Sequence, residues 1–219
     1  MGKIYRCSMY DLVMRLPLLV WALFAAMRQS MGLALTMQNS VDFVYAVHLT
    51  MRLSSIAFLL LIAVVVIART RPSAKAGGLE PKIAALAGSF LTYVIVLFPC
   101  RELSLSLEVT STLLILVGTL GAVIALSQLG RSFSVMAESR RLVTSGPYRF
   151  VRHPLYLTEG IAIIGLCIQY ISLWTALVVA LQIAFQLRRM NYEEAVLTAQ
   201  FPEYAAYSLT TARLIPGIY

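Results

Sequence analysis

The chain has 219 residues, a length that fits one domain, with 59% hydrophobic residues and a mean hydropathy of +0.80, values that exclude an ordinary soluble globule. Its 18 Lys and Arg against 10 Asp and Glu give a net charge of +8. These cations flank apolar runs, so membrane topology accounts for them better than a nucleic-acid partner does.

Basic residues followed by the apolar run Leu16 to Met27 imitate a secretory signal. Further spans follow, so a signal-anchor helix over 12–28 is expected, bounded by Arg15 and Arg28. Segment 29–51 mixes apolar residues with Gln38, Asn39, Asp42 and His48 and reads as partly interfacial or loosely packed, with His48 an interfacial residue rather than a ligand. The run 53–68 is almost wholly apolar and forms a second span. A basic loop from Arg69 to Lys82 precedes a third span, 83–99, and a fourth covers 109–129, where Gly118 and Gly121 permit close helix approach.

The polar loop 130–153 ends in Gly146-Pro147-Tyr148-Arg149-Phe150-Val151-Arg152-His153-Pro154-Leu155-Tyr156, the place where polar chemistry is concentrated beside a membrane segment. Proline suits the first turn of a helix, where no N–H is needed. A helix therefore starts at Pro154 with His153 at its cap, and its unpaired N–H groups favour an anion. Residues 155–187 exceed the ~20 needed for one crossing. With Tyr170-Ile171-Ser172 as a break they read as a tight helical hairpin, 154–171 and 172–191. Arg188 and Arg189 end the second arm, and Glu159 in the first arm is costly in lipid and faces a pocket or another helix. Gln128, Gln169 and Gln182 are expected interhelical hydrogen-bond partners.

The fold class is thus all-α, multi-pass and membrane-embedded, with about six spans. Placing both termini in the cytoplasm puts 15 of the 18 Lys and Arg there and leaves Arg28, Arg52 and Arg101 outside. Residues 1–100 supply N-terminal helices and 101–219 the core. Cys7, Cys100 and Cys167 show no CxxC or Cys/His metal spacing and read as reduced packing residues; no metal site is expected.

On a continued helix Arg189 and Glu193 share one face. A hairpin brings them to the same membrane surface as His153, where they flank one pocket walled by Tyr148 and Tyr156. An amphoteric ligand fits those parts.

The run Leu142 to Tyr148, the Arg152-His153-Pro154-Leu155-Tyr156 core, and Arg189-xxx-Glu193-Glu194 with downstream Phe201, Tyr204 and Tyr207 resemble the isoprenylcysteine carboxyl methyltransferase family and its phospholipid-methyltransferase relatives. The resemblance covers roughly 118–216. It implies a membrane methyltransferase that uses S-adenosylmethionine without a Rossmann fold. Leu142, Val143, Tyr148, His153, Pro154, Tyr156 and Glu193 match the family's cofactor contacts, and Arg189 matches the arginine facing the methyl-accepting carboxylate. Arg140-Arg141 stands where some members have His-Thr, and the loop 134–139 is shorter and lacks their glutamine.

A carboxylate acceptor such as a prenylcysteine-type group needs no general base, whereas an amine would pass a proton to Glu194 or water. A phospholipid amine or a small thiol is the alternative acceptor. Other classes of reading are an NADPH-dependent sterol-reductase-like protein and a non-catalytic scaffold whose basic loops bind anionic lipid. The expected setting is a bacterial inner membrane or the endoplasmic reticulum, with the site facing the cytoplasm, a lipophilic substrate arriving from the bilayer, membrane lipids as partners and no nucleic acid. Nothing in the sequence specifies an oligomeric state.

Overall fold

The computed structural model describes residues 2–36, 43–70, 72–99 and 102–217. The sequence expectations for 37–42, Arg71, Cys100 and Arg101 lie outside the described residues, as do the side chains of 2–14, including Cys7. The chain is helical almost throughout: α1 (Gly2–Thr36), α2 (Phe43–Ala68), α3 (Glu80–Phe90), α4 (Leu105–Leu129), α5 (Pro154–Gln169), α6 (Leu173–Gln200) and α7 (Tyr204–Thr210). Two short strands, β1 (Ala74–Lys75) and β2 (Glu138–Ser139), pair antiparallel and tie the loop after α2 to the loop after α4.

Among the described residues three helical stretches are long and apolar enough to cross a membrane, His48–Ala68, Glu80–Leu97 and Leu105–Ser132, while α5 is a shorter apolar helix. Several boundaries differ from those read off the sequence. The first helix runs over Gly2–Thr36 rather than 12–28 and carries Pro17 internally. Part of the segment expected to be loose, from Phe43 onward, is the beginning of α2. The third span changes character inside the membrane stretch: α3 stops at Phe90 and Leu91–Leu97 continues as a tighter 3-10 helix. Aromatic packing anchors that junction, since Trp21 of α1 meets Phe90 and Tyr93 edge-on at 5.2 and 5.1 Å.

α4 and α5 form the closest helix pair because glycines stand where they touch. A Cβ on Gly118 would lie 2.6 Å from the backbone of Ala162 and Thr158, and one on Gly165 2.6 Å from the Ser111 carbonyl. That carbonyl's own residue reciprocates, the Ser111 hydroxyl donating to the Gly165 carbonyl at 2.8 Å. At the end of the bundle away from the polar loops, His48 of α2 meets the Glu108 carboxylate at the start of α4 at 3.1 Å.

The turn between α5 and α6 falls where expected: Ser172 caps α6, its hydroxyl accepting from the Thr175 N–H at 3.1 Å. The tight hairpin does not follow. α5 packs along α4, whereas α6 packs along α3 and the 3-10 segment, so the two arms diverge. The physical reason is that the small residues of α5 face α4, while α6 presents polar side chains that find partners on α3. The Gln182 amide donates to the Gly88 carbonyl, as an interhelical glutamine is expected to do. α6 also runs eleven residues past Arg189, to Gln200, where the sequence suggested an end.

The buried core joins α1, α2, α4, α5 and α6 through residues such as Ala22, Val66, Leu126, Leu155 and Met190. Arg15 donates to the Ile67 and Arg69 carbonyls, Arg131 to Ala68, and Arg188 pairs with Glu80. The loops 69–79 and 130–153, the start of α3 and the end of α6 therefore share one end of the bundle.

Candidate active site

The segment before α5 is held by backbone geometry. Gly130 closes α4 at φ +49° and Gly146 opens a one-turn 3-10 helix, Gly146–Arg149, at φ +61°, conformations that L side chains rarely adopt. His153 is the cap residue of α5 and Pro154 its first residue, as the sequence indicates. The imidazole does not cap the helix; it turns toward α6. The C-terminal tail then straps this segment in place: the Arg152 and His153 N–H groups donate to the Ala212 and Arg213 carbonyls at 2.8 and 3.1 Å. The Tyr207 hydroxyl closes the strap by donating to the Tyr148 carbonyl at 2.5 Å.

Segments some forty residues apart thereby meet. His153 Nε2 lies 3.0 Å from Glu194 Oε1 and Nδ1 3.9 Å from Glu193 Oε2. Glu193 Oε1 accepts from the Arg189 Nε at 2.9 Å and from the Tyr156 hydroxyl at 2.5 Å. The Arg189 guanidinium lies 4.8 Å from the centre of the Tyr156 ring, and that ring stacks on His153 at 5.3 Å. Arg189 also donates to the Ser89 hydroxyl at 2.7 Å and toward the Ser134 carbonyl at 3.4 Å. The first hundred residues therefore reach the site through Ser89 of α3.

A partly open cleft lies over this cluster. Of the residues singled out from sequence, Leu142, Val143, Tyr148, His153, Tyr156, Arg189 and Glu193 all line it. Pro154 is buried beneath the lining as the first residue of α5. Glu194 lies to one side, its carboxylate held by His153, by Arg152 at 3.2 Å and by Arg213 at 3.2 Å. Half-burial pushes that carboxyl up, but the hydrogen bond and charge of His153, then Arg213 and Arg152, outweigh it and hold it below its usual range. A carboxylate so engaged orients His153 and suits proton uptake from an acceptor poorly. Burial holds the Tyr204 and Tyr207 phenols up at about 12, so both stay neutral.

The lining includes residues that sequence reasoning did not assign. Glu138 and Arg140 form a buried pair at 2.9 Å, their side chains 4% and 1% exposed, and the Ser134 hydroxyl donates to the same Glu138 oxygen at 2.8 Å. The alternation of a strand puts residues 138 and 140 on one face, so the i,i+2 charge pair was the available signal. Ser139 is buried in the cleft wall, and its hydroxyl has no hydrogen-bond partner among the described residues. Glu193 Oε2 likewise makes no hydrogen bond there.

Comparison with known proteins bears on this cluster directly. Residues 107–204 match the phospholipid methyltransferase family. The matched segment takes in nearly all of α4, the polar loop, α5 and α6, and with them every candidate site residue. The chain is 37% identical over 113 residues to the cobalt-zinc-cadmium resistance protein CzcN of Cupriavidus metallidurans, covering 49% of this chain and 51% of that protein. It is 32% identical over 113 residues to the nickel-cobalt-cadmium resistance protein NccN of Alcaligenes xylosoxydans xylosoxydans, covering 49% and 52%. The match spans about half the length of these curated relatives. Among the described residues no group of three or more His, Cys, Asp and Glu is placed to hold a metal ion.

Proposed function

We propose that this protein is a membrane methyltransferase that binds S-adenosylmethionine in the cleft over His153, Tyr156 and Glu193 and methylates a lipophilic acceptor arriving from the bilayer. The observation that carries the reading is the meeting of His153 and Glu193 across 3.9 Å, inside a segment that matches a methyltransferase family. The residues suit such a ligand. The bare Glu193 Oε2 can take an ammonium, and the buried, unpartnered Ser139 hydroxyl can take a polar group. The face of Tyr148 would favour a cation such as a sulfonium.

His153, Arg152 and the start of α5 would hold the ligand's carboxylate, Glu193 its ammonium, and Leu142, Val143 and Tyr148 its apolar surfaces. When bound, S-adenosylmethionine supplies a methyl group on a sulfonium, an electrophile that needs no further activation. The protein's part is then placement and exclusion of water. Tyr156 and Arg189 fix the Glu193 rotamer, and the C-terminal strap keeps His153 facing α6. Six crossings with both termini and the cleft on the cytoplasmic side follow the charge bias of the loops. The reading is tested by equilibrium binding of radiolabelled S-adenosylmethionine to the purified protein. Saturable binding is expected, and NADPH is expected not to bind; saturable NADPH binding alone, or binding of neither, refutes it.

A further inference from the structure

Arg189 and Glu193 belong to one helix, and the group that aims the guanidinium comes from another. The arginine carries its N–H donors on a rigid planar fork. Its Nε donates to Glu193 Oε1 at 2.9 Å and its Nη1 to the Ser89 hydroxyl of α3 at 2.7 Å, while Nη2 only points toward the Ser134 carbonyl at 3.4 Å. The two short bonds therefore set the plane of the guanidinium. Glu193 receives a single bond from it, and the second oxygen, Oε2, lies 3.9 Å from His153 Nδ1 and accepts no hydrogen bond among the described residues.

An arginine and a carboxylate one helical turn apart are free to form the two-pronged pairing, with parallel N–H···O bonds to both oxygens. Here α3 competes for the fork. Gly88 lets α6 come close, since a Cβ there would lie 2.8 Å from Gln186 Oε1 and 3.6 Å from the Gln186 backbone, and the Gln182 amide closes the same contact by donating to the Gly88 carbonyl. The next residue, Ser89, is thereby brought within reach of Arg189, which is buried and lines the cleft. Ser89 lies outside the matched residues 107–204, so this restraint comes from the part of the chain that the family match leaves out.

We propose that Ser89 is a positioning residue of this site: by holding Arg189 to one bond with Glu193, it keeps Glu193 Oε2 open for the ammonium of the methyl donor. This rests on the methyltransferase reading and on the place that reading gives to Glu193. Without the Ser89 hydroxyl the fork turns and takes both Glu193 oxygens, and the carboxylate is neutralised from within the protein. Ser89 itself touches no ligand, and its effect passes through Arg189. The N-terminal helices thus contribute to ligand binding through one hydroxyl.

The test measures equilibrium binding of radiolabelled S-adenosylmethionine to the full chain, comparing wild type with Ser89→Ala, with Ser89→Cys, which keeps the size but is a weak acceptor, and with Ser89→Thr, which keeps the hydroxyl. Ser89→Ala and Ser89→Cys are expected to lose about tenfold in affinity, roughly the worth of one hydrogen bond, and Ser89→Thr less than about threefold. Lysine is a point charge without a planar fork, so in an Arg189→Lys background Ser89→Ala should change affinity by less than about twofold, whereas a packing defect would persist there. Without the methyl donor, the infrared carboxylate stretch should differ between wild type and Ser89→Ala, and that difference should vanish when both carry Glu193→Gln. Equal affinity in wild type, Ser89→Ala and Ser89→Cys, or an undiminished loss in the Arg189→Lys background, overturns this role while leaving the methyltransferase reading intact. Absence of S-adenosylmethionine binding in wild type removes both.

Discussion

Replacing Glu193 with Gln isolates the charge that the donor's ammonium would meet. The amide oxygen can occupy the place of Oε1 and keep the hydrogen bonds from Arg189 at 2.9 Å and Tyr156 at 2.5 Å. What changes is Oε2, where a carboxylate oxygen becomes an N–H donor. Two unit charges about 4 Å apart attract by roughly 4 kcal/mol at an effective dielectric of about 20. The carboxylate is 18% exposed, and solvent reduces that figure, so a loss of about 2 kcal/mol, or roughly 30-fold in affinity, is expected. Tyr156→Phe leaves the charge and removes one hydrogen bond, worth about 1 kcal/mol, and should weaken binding less than tenfold. Equilibrium dialysis with tritiated S-adenosylmethionine at neutral pH measures both, with thermal unfolding in detergent confirming that each variant folds. Unchanged affinity in Glu193→Gln, or a larger loss in Tyr156→Phe, would refute the assignment of Glu193 to the ammonium.

Gly118→Ala forces a Cβ to 2.6 Å from α5 backbone and should cost about 1–3 kcal/mol by overpacking. Gly160→Ala on the opposite side of α5 meets nothing within 4 Å and should be neutral or stabilising by up to about 1 kcal/mol; melting temperatures of the two variants check this contrast. Arg140→Ala strips the cation from the buried Glu138 and should destabilise by about 3 kcal/mol, read in the same assay. Because the Glu194 carboxyl is held below its usual range in the fold, its contribution is present above the unfolded value near 4.3 and is lost as pH falls through the lower folded value. Limited proteolysis should therefore show the C-terminal strap releasing only in acid, below about pH 4, and Glu194→Gln should release it already at neutral pH.

Where a single residue type has a strong local meaning, the sequence was readable. Pro154 marked the start of α5, Tyr170-Ile171-Ser172 marked the break before α6, and the motif chemistry brought His153, Tyr156, Arg189 and Glu193 to one cleft. What escaped depended on partners distant in the chain. The arms diverge because Gly118 and Gly165 let α4 seat α5 while Gly88 and Ser89 offer α6 partners on α3, and neither choice is visible from the hairpin alone. The 3-10 stretch Leu91–Leu97 is largely apolar and carries no periodicity to betray its winding. Arg188 and Arg189 looked like a membrane boundary, yet Arg189 is 3% exposed because Glu193, Tyr156 and Ser89 surround it. The contacts of residues 212 and 213 with the Arg152 and His153 N–H groups are main-chain bonds, which leave no side-chain signature, whereas Tyr207 and Arg213 add side-chain contacts to the strap.

The central claim is that one small zwitterion is gripped between the segment ending at His153 and the stretch of α6 around Glu193. Ultraviolet crosslinking of radiolabelled S-adenosylmethionine to the purified protein, followed by peptide mapping, tests it most directly. The account predicts saturable labelling confined to peptides within residues 129–156 and 189–207 and abolished by excess S-adenosylhomocysteine. Labelling elsewhere in the chain, or labelling that the competitor leaves unchanged, would contradict it.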